Sequence, residues 1–261
     1  MKILLAHVYC LDEDRTEMEV MRPYPPLGIL YVSGYLQLKG IEHAVFDGTF
    51  LTPHAIYDML LATNPDVVAF YANFLTRERI VKILDEIRIN PAFQNIKTVI
   101  GGPDVRYHQK EYMNSGADFL VIGEGEQTFH ELIVALKEKK NVENIPGLSL
   151  KNANGEIVQT GERKHFSKPD ELPWPNREKI DLQKYLIAWK NKHGYNSITV
   201  NTQRGCPYSC RWCSHAVFGD TYRRRSPANV IDEIEYLQKR YNPDSYWFVD
   251  DVFTMSEKWI N

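Results

Sequence analysis

The sequence predicts an α/β protein that begins with a doubly wound parallel sheet. Over roughly the first 140 residues, short β-branched runs alternate with longer segments whose apolar residues recur at helical spacing. This alternation is typical of parallel strands covered by helices on both faces. Glycine-rich segments follow several of the strands, at the sheet edge where such folds bind their ligands. Five predicted strands and five helices fit a flavodoxin-like sheet.

Each strand and each helix is predicted from a local residue pattern. The strands are short runs rich in Val, Ile and Phe, predicted at residues 2–8, 43–47, 67–71, 98–100 and 119–122. The helices between them have apolar residues three and four positions apart and are predicted at residues 27–38, 53–62, 77–89, 107–114 and 128–136.

The composition is that of an ordinary folded protein. The 261 residues are 43% hydrophobic and 25% charged, which argues against disorder, collagen-like repeats and coiled coil. A net charge of -3 gives no overall positive field for nucleic acid. No apolar run approaches the roughly 20 residues of a membrane span, and the apolar start is broken at His7 and followed by acids, unlike a secretion signal. We therefore expect a cytoplasmic protein without nucleic-acid or membrane partners.

A change of pattern marks a second part of the chain. Asn154-Gly155 lies between two short strand patterns and predicts a β-hairpin. Residues 160–195 are rich in Pro, Lys and Asp and predict a linker that wraps rather than packs. A strand at 197–202, a helix at 228–240 capped by Ser226 and Pro227, and a strand at 245–249 follow. The predicted domains are 1–145, a hairpin and linker at 146–195, and a second α/β unit at 196–261.

Three of the four cysteines, Cys206, Cys210 and Cys213, form a C-x3-C-x2-C motif on one loop. Structural zinc usually takes four ligands from two separated pairs, whereas an iron–sulfur cluster on three cysteines keeps one iron open. A zinc site completed by His215 is the main rival, but four ligands within ten residues would strain the loop. Three unliganded buried cysteines fit poorly in a segment of Gly, Pro, Arg and Ser. The motif therefore favours a [4Fe-4S] cluster.

With an aromatic residue, Trp212, before the third cysteine, this segment resembles the signature of the radical S-adenosylmethionine (SAM) superfamily. The earlier part resembles the cobalamin-binding domain of one branch of that superfamily, which includes methylases and the anaerobic magnesium-porphyrin cyclase. The matching segments are PPLG at 25–28, GGP at 101–103, GEGE at 123–126, RSP at 225–227 and FVDD at 248–251. The resemblance covers most of the chain and implies that its last part is the start of a partial (β/α) barrel.

The resemblance also implies site residues. Cys206, Cys210 and Cys213 would hold the cluster. SAM would contact Trp212 and one of Asp250 and Asp251, because adjacent strand residues point to opposite faces. Cobalamin would contact loop residues at the carboxyl edge of the sheet, namely Leu27, Gly28, Asn73, Leu75, Gly101, Gly102, Pro103, Gly123, Glu124 and Gly125.

One position departs from the cobalamin domains that ligate cobalt through histidine. Those domains carry Asp-x-His-x-x-Gly after the second strand, whereas this chain has Asp47-Gly48-Thr49. Thr49 has no nitrogen donor, so we expect no protein imidazole from this segment on the lower face of the cobalt.

The implied function is that of a radical SAM enzyme that uses cobalamin, SAM and a [4Fe-4S] cluster to functionalise an unactivated carbon, by methyl transfer. It would act on a small-molecule substrate and need an electron donor such as flavodoxin or ferredoxin. A radical SAM barrel has about six strand–helix units, and this sequence stops after two, so we expect a fragment of a longer enzyme.

Two other functions stay open. An oxidative cyclase or rearrangement enzyme of the same branch would use the same cofactors. A non-catalytic, metal-stabilised ligand-binding module would explain the fold and the short length but not the cysteine motif. Arg223, Arg224 and Arg225 are expected to form a solvated charge run rather than a phosphate site.

Overall fold

A computed structural model describes residues 1–260, so Asn261 of the predicted third region lies outside the described residues. Its centre is a seven-stranded sheet of order β2-β1-β3-β4-β5-β6-β7. The first five strands are parallel and run over β1 (Ile3–His7), β2 (Ala44–Asp47), β3 (Val67–Tyr71), β4 (Lys97–Gly101) and β5 (Phe119–Val121). The order 2-1-3-4-5 confirms the predicted flavodoxin-like sheet.

Helices cover both faces of this sheet. They are α1 (Arg15–Val20), α2 (Leu27–Leu38), α3 (Ala55–Thr63), α4 (Arg77–Ile89), α5 (Gln109–Asn114) and α6 (Gly125–Glu138). One apolar cluster lies between the sheet and α3, α4 and α5, and another lies between the sheet and α2 and α6. Helix α1 was not predicted, because it buries no residue and so has no apolar stripe.

The predicted hairpin is confirmed and extends the main sheet. Strands β6 (Leu148–Lys151) and β7 (Ile157–Gln159) pair antiparallel, and β6 also pairs antiparallel with β5, with Phe119 opposite Leu150. The parallel sheet therefore ends in an antiparallel edge.

Residues 160–195 were predicted to form a linker that wraps around the protein rather than packing into a core. This prediction is wrong for the second half of the segment. Helix α7 (Leu182–His193) forms there and buries Leu182, Tyr185, Leu186 and Trp189. These residues follow the i, i+3, i+4, i+7 spacing of one helix face, and three of them belong to the core of the last unit.

The last unit contains the predicted strand–helix–strand order. Strand β8 (Ser197–Val200) pairs parallel with β11 (Ser245–Phe248), and α8 (Pro227–Tyr241) connects them. Its cap is as predicted, because Ser226 Oγ accepts a hydrogen bond from the Asn229 amide at 3.2 Å. A two-residue antiparallel pair, β9 (Gln203–Arg204) with β10 (Arg223–Arg224), and the short helix α9 (Glu257–Ile260) complete the unit. The domain boundaries stay a prediction.

Among residues 1–260, no helix has both the length and the apolar character that crossing a bilayer requires.

A buried hydrogen-bond network joins Asn176, in the region between the two units, to helix α2 and to the segment before β2. His43 Nδ1 lies 2.9 Å from the Ile41 carbonyl oxygen, and His43 Nε2 lies 2.7 Å from Ser33 Oγ. Ser33 in turn accepts a hydrogen bond from the Asn176 side chain at 3.1 Å. The neutral imidazole satisfies both contacts, donating from Nδ1 and accepting at Nε2.

This histidine should make the fold sensitive to acid. Burial lowers the pKa of His43, and the nearby Lys179 charge adds to the effect. The pKa of His43 is therefore lower in the folded state than in the unfolded state. The stability that the neutral His43 contributes is present above a pH of about 6.5 and is lost as the pH falls from there through the folded-state pKa. We expect urea denaturation to show a smaller loss of stability between pH 7.5 and 5.5 in His43→Gln than in the unmodified chain. Equal losses would contradict this assignment.

Candidate functional site

A cavity of about 440 Å³ lies where the carboxyl ends of the parallel strands face the last unit. One wall comes from the end of β3, from the loops that follow β4 and β5 and from the start of α2. The opposite wall comes from residues 204–206, residues 213–219, Val249 and Asp251. Its size is within the range of small-molecule sites, and its position is the ligand edge expected of the sheet.

Most residues predicted to contact cobalamin line this cavity. They are Leu27, Gly28, Gly101, Gly102, Pro103, Gly123, Glu124 and Gly125. Asn73 and Leu75 follow β3 but do not line the cavity. The Asn73 side-chain oxygen accepts hydrogen bonds from the Leu75 and Thr76 amides, both at 3.0 Å, so it fastens the turn before α4. Their role as cobalamin contacts stays a prediction.

Glycines shape the wall in two ways. Gly102 has φ +112°, and a Cβ there would overlap the Ala72 carbonyl oxygen, so the fold itself requires glycine. Gly101 and Gly125 differ, because a Cβ would meet only Val121 and Val32 at 3.6–3.7 Å, an ordinary contact distance. A side chain at either position would be tolerated by the protein but would take space at the cavity. These two positions therefore leave open space along the backbone at the cavity wall.

Residues 48–53, which follow β2, include no histidine, and α7 packs over this turn. Thr49 is buried and donates from Oγ1 to Asp47 Oδ1 at 2.7 Å. The Tyr185 hydroxyl lies 2.7 Å from Asp47 Oδ2 and 2.9 Å from Thr49 Oγ1. The polar atoms of this turn are therefore engaged within the protein. The expectation that this segment offers no imidazole to cobalt stays a prediction.

The three cysteines of the motif lie on one irregular loop, residues 205–222, called the cysteine loop here. Cys206 is half-buried, Cys210 and Cys213 are exposed, and Cys206 and Cys213 line the cavity. Within the part of the chain that the structure describes, no three His, Cys, Asp or Glu side chains are gathered to hold a metal ion. The thiols thus share a loop without converging, and their assignment as ligands stays a prediction.

His215 of the same loop also lines the cavity. Its Nδ1 lies 3.1 Å from Asp220 Oδ1, and its Nε2 is buried with no hydrogen-bond partner in the described residues. An unsatisfied buried nitrogen at a cavity wall is a group that a polar ligand can satisfy.

The paired acids after β11 have different surroundings. Asp250 accepts hydrogen bonds from the Thr202 and Gln203 amides at 2.7 and 3.2 Å, so it holds the segment that leads into the cysteine loop. Burial raises the pKa of Asp250, and these hydrogen bonds offset part of the effect. Asp251 lines the cavity instead, and Asp250 does not. The assignment of either acid as a contact of SAM stays a prediction. Trp212 is 88% exposed and is not part of the cavity wall.

A buried ion network at the cavity wall was not predicted. Arg204 is 4% exposed and donates to Glu124 Oε2 at 2.7 Å and also to Glu126. Its guanidinium lies 5.0 Å from the ring centroid of Tyr31 and 5.4 Å from that of Phe218. Burial alone would lower the pKa of Arg204, but the charges of Glu126 and Glu124 outweigh it and raise that pKa. Glu124 and Glu126 belong to the GEGE segment, and Arg204 lies two residues before the first cysteine of the motif. Nothing in the sequence indicates that these residues form ion pairs.

The expectation of a solvated run at residues 223–225 is wrong. Arg225 is 5% exposed and forms an ion pair with the buried Glu233. Arg223 lies 2.7 Å from Glu124. Arg224 packs its guanidinium 3.5 Å from the centre of the Trp259 ring. Each arginine therefore has a partner from a different element, since Glu124 caps α6, Glu233 lies on α8 and Trp259 lies on α9.

The fold and the cavity define an α/β cofactor-binding protein in which a cysteine loop faces the ligand edge of a doubly wound sheet. A sequence profile of the B12 binding domain matches residues 19–133. The chain is 31% identical to an uncharacterized methyltransferase of Pyrococcus horikoshii, over 99% of this chain and 55% of that protein. It is 27% identical to the anaerobic magnesium-protoporphyrin IX monomethyl ester cyclase of Rubrivivax gelatinosus, over 92% of this chain and 44% of that protein.

Solved structures agree with the fold. The radical SAM methyltransferase TsrM of Kitasatospora setae, solved with cobalamin and a [4Fe-4S] cluster, superposes with a TM-score of 0.72 at 20% identity, over 98% of this chain and 49% of that one. The cobalamin-dependent SAM radical enzyme OxsB, solved with aqua-cobalamin and SAM, gives 0.76 at 21% identity, over 97% of this chain and 34% of that one. Residues 19–133 thus match a B12 binding domain, and over most of its length the chain is similar in sequence or fold to cobalamin-dependent radical SAM enzymes. It spans about half the length of the curated relatives it matches.

Proposed function

We propose that this chain is part of a cobalamin-dependent radical SAM enzyme that transfers a methyl group to an unactivated carbon of a small-molecule substrate. The supporting observation is the shared cavity, which has the glycine loops of the first unit on one wall and Cys206, Cys213 and Asp251 on the other. Two cofactors bound to these walls would meet in one space. Relatives named as methyltransferases support the choice of reaction.

The residues of the two walls would have different tasks. Gly101 and Gly125 leave room for a corrin ring against the backbone, and the buried Nε2 of His215 offers a polar contact. The Tyr71 hydroxyl at the same cavity stays protonated, because burial raises its pKa to about 12. The three thiols of the cysteine loop would hold the [4Fe-4S] cluster, which when bound supplies the electron that cleaves SAM.

Asp251 would face the amino group of SAM, since a carboxylate is a suitable partner for an ammonium. Asp250 would serve mainly to hold residues 201–203 in place. An external one-electron donor such as flavodoxin or ferredoxin would reduce the cluster. Exposed unpaired thiols at Cys210 and Cys213 support a reducing, cytoplasmic location.

Metal analysis of anaerobically prepared protein tests the proposal. We expect iron and sulfide at about four each per chain after reconstitution, together with bound cobalamin and release of 5′-deoxyadenosine on reduction with SAM. Zinc in place of iron would favour the non-catalytic module. Iron without cobalamin would indicate a radical SAM enzyme whose first domain has another ligand.

A cyclase is the second candidate, favoured by the similarity to anaerobic magnesium-protoporphyrin IX monomethyl ester cyclases. With SAM labelled in its methyl carbon, a methyltransferase moves the label into the product. An oxidative cyclase does not, so the label separates the two reactions.

The open space at Gly125 gives a direct test of cobalamin binding. Gly125 is the first residue of α6, where alanine is compatible with the helix and adds no clash. We expect Gly125→Ala to keep the unfolding midpoint but to weaken hydroxocobalamin binding by about tenfold, or roughly 1.4 kcal/mol. Absorbance titration measures the affinity, and Gly161→Ala, whose Cβ would meet nothing within 4 Å, is the control. Equal affinity in the two variants would mean that cobalamin does not approach this wall.

A further inference from the structure

Both ends of the cysteine loop meet at one carboxylate of the first unit. The loop begins after Arg204 and ends before Arg223, and these two residues are paired across the antiparallel β9–β10 contact. Arg204 donates to Glu124 Oε2 at 2.7 Å, and an Arg223 guanidinium nitrogen lies 2.7 Å from Glu124 Oε1. The two oxygens of Glu124 thus each bind one end of the loop.

The surroundings make this contact strong and specific. Glu124 and Arg204 are 5% and 4% exposed, so water screens their attraction little. His165 adds a third contact at 2.6 Å from Glu124 Oε1. Glu126 gives Arg204 a second carboxylate from the first turn of α6. Glu124 lies in the short turn between β5 and α6 and is the N-cap of α6, so its position is set by the central sheet and this helix.

The backbone at Gly205 also keeps the two ends of the cysteine loop close together. Gly205 has φ +80°, and a Cβ there would overlap the Thr221 carbonyl oxygen, so the two ends of the loop are in close contact. The loop between them has few other attachments to the sheet unit, one being the hydrogen bond from the Tyr107 hydroxyl to the Ser214 carbonyl oxygen. The base of the loop is therefore its main anchor.

We propose that Glu124, assisted by Glu126, is a positioning residue that fixes the cysteine loop against the ligand edge of the sheet. On the proposed function, it sets the distance between the cluster and the cobalamin rather than contacting cobalamin itself. The chemistry that makes Glu124 suitable is its pair of oxygens, one for each arginine. Glutamine keeps its size but removes the charge and replaces one acceptor with a donor.

Thiol labelling of the metal-free chain tests the anchor without requiring a cofactor. Cys206 follows Arg204 by two residues and is half-buried, so its rate of reaction with a maleimide reports how firmly the base is held. We expect Glu124→Gln to raise the Cys206 rate at least fivefold, with the exposed Cys210 changing less than twofold. Mass spectrometry of peptides separates the sites.

The matched control is Glu131→Gln, on the helix α6 that Glu124 caps. Glu131 pairs with Arg163 at 3.2 Å and does not contact the cysteine loop. Equal Cys206 rates in Glu124→Gln and Glu131→Gln would overturn the proposal. If Glu124→Gln does not unfold cooperatively, Arg223→Gln is used instead. This variant removes the Arg223–Glu124 ion pair and keeps the Arg204–Glu124 ion pair. A Cys206 rate unchanged from the unmodified chain would then overturn it.

A second readout separates this proposal from the proposed function. In reconstituted protein, we expect Glu124→Gln to bind hydroxocobalamin within twofold of the unmodified chain while the electron paramagnetic resonance spectrum of the reduced cluster with SAM broadens or shifts. A tenfold loss of cobalamin affinity with an unchanged spectrum would make Glu124 a cobalamin contact and refute the anchor. If the unmodified chain takes up no iron, the proposed function fails while the labelling result still decides the role of Glu124.

Discussion

Alanine at any one of Cys206, Cys210 or Cys213 is expected to abolish the iron–sulfur absorbance of the anaerobically reconstituted protein. Three thiolates are the complete protein ligand set for a cluster with one open iron, so the loss of one leaves two irons without ligands. Iron content should fall from about four per chain to less than one. The replaced side chains lie on an irregular loop and none belongs to a core cluster, so the unfolding midpoint should stay near that of the unmodified chain.

Cys10→Ala is the matched control for this prediction. Cys10 lies after β1 and is buried, with its Sγ 3.9 Å from the Val8 carbonyl oxygen and in contact with Arg79. Burial raises the pKa of the Cys10 thiol, which disfavours the thiolate that a metal needs. We expect Cys10→Ala to keep the absorbance. Retention of the cluster in any of the three loop variants would contradict the assignment of ligands.

The sheet could be predicted from sequence because its signal is local. Each of the five parallel strands is a short apolar run, and each of the five predicted helices has apolar residues at helical spacing, so no long-range information is needed to recognise them. The glycine motifs fall at the predicted edge because parallel strands place all their carboxyl ends together. For the same reason, eight of the ten residues predicted to contact cobalamin line the cavity.

The failures have identifiable causes. Helix α7 has a correct apolar stripe from Leu182 to Trp189, but the Pro, Lys and Asp content of the surrounding segment outweighed it. The pairing of β6 with β5 depends on tertiary contact and has no local signal. The Glu124–Arg204 pair joins residues 80 positions apart, and neither residue type indicates its partner. Exposed arginine runs are common, so the burial of Arg225 could not be inferred from composition.

A buried charge triad should dominate the stability of the last unit. Glu233 of α8 is completely buried and binds Arg177 at 2.6 Å and also Arg225. Arg177 is 1% exposed and donates to the Thr199 carbonyl oxygen of β8 at 2.8 Å. The carboxylate therefore neutralises one of two guanidinium charges that have no access to water. The triad joins the region before α7, the strand β8 and the start of α8.

Removal of that carboxylate is expected to cost about 3–5 kcal/mol, because two buried positive charges are left facing each other without compensation. Glu233→Ala should lower the midpoint of thermal unfolding by roughly 6–20 °C, at about 2–4 °C for each kcal/mol in a chain of this size. Glu235→Ala is the control, since Glu235 lies on the same helix and is exposed. Scanning calorimetry of both variants at one pH and salt concentration measures the difference.

Replacement of Arg177, Arg225 and Glu233 together by apolar residues of similar size should cost much less than Glu233→Ala, because the uncompensated charge is then removed as well. An equal midpoint in the Glu233 and Glu235 variants would show that the triad is not a main support of this unit.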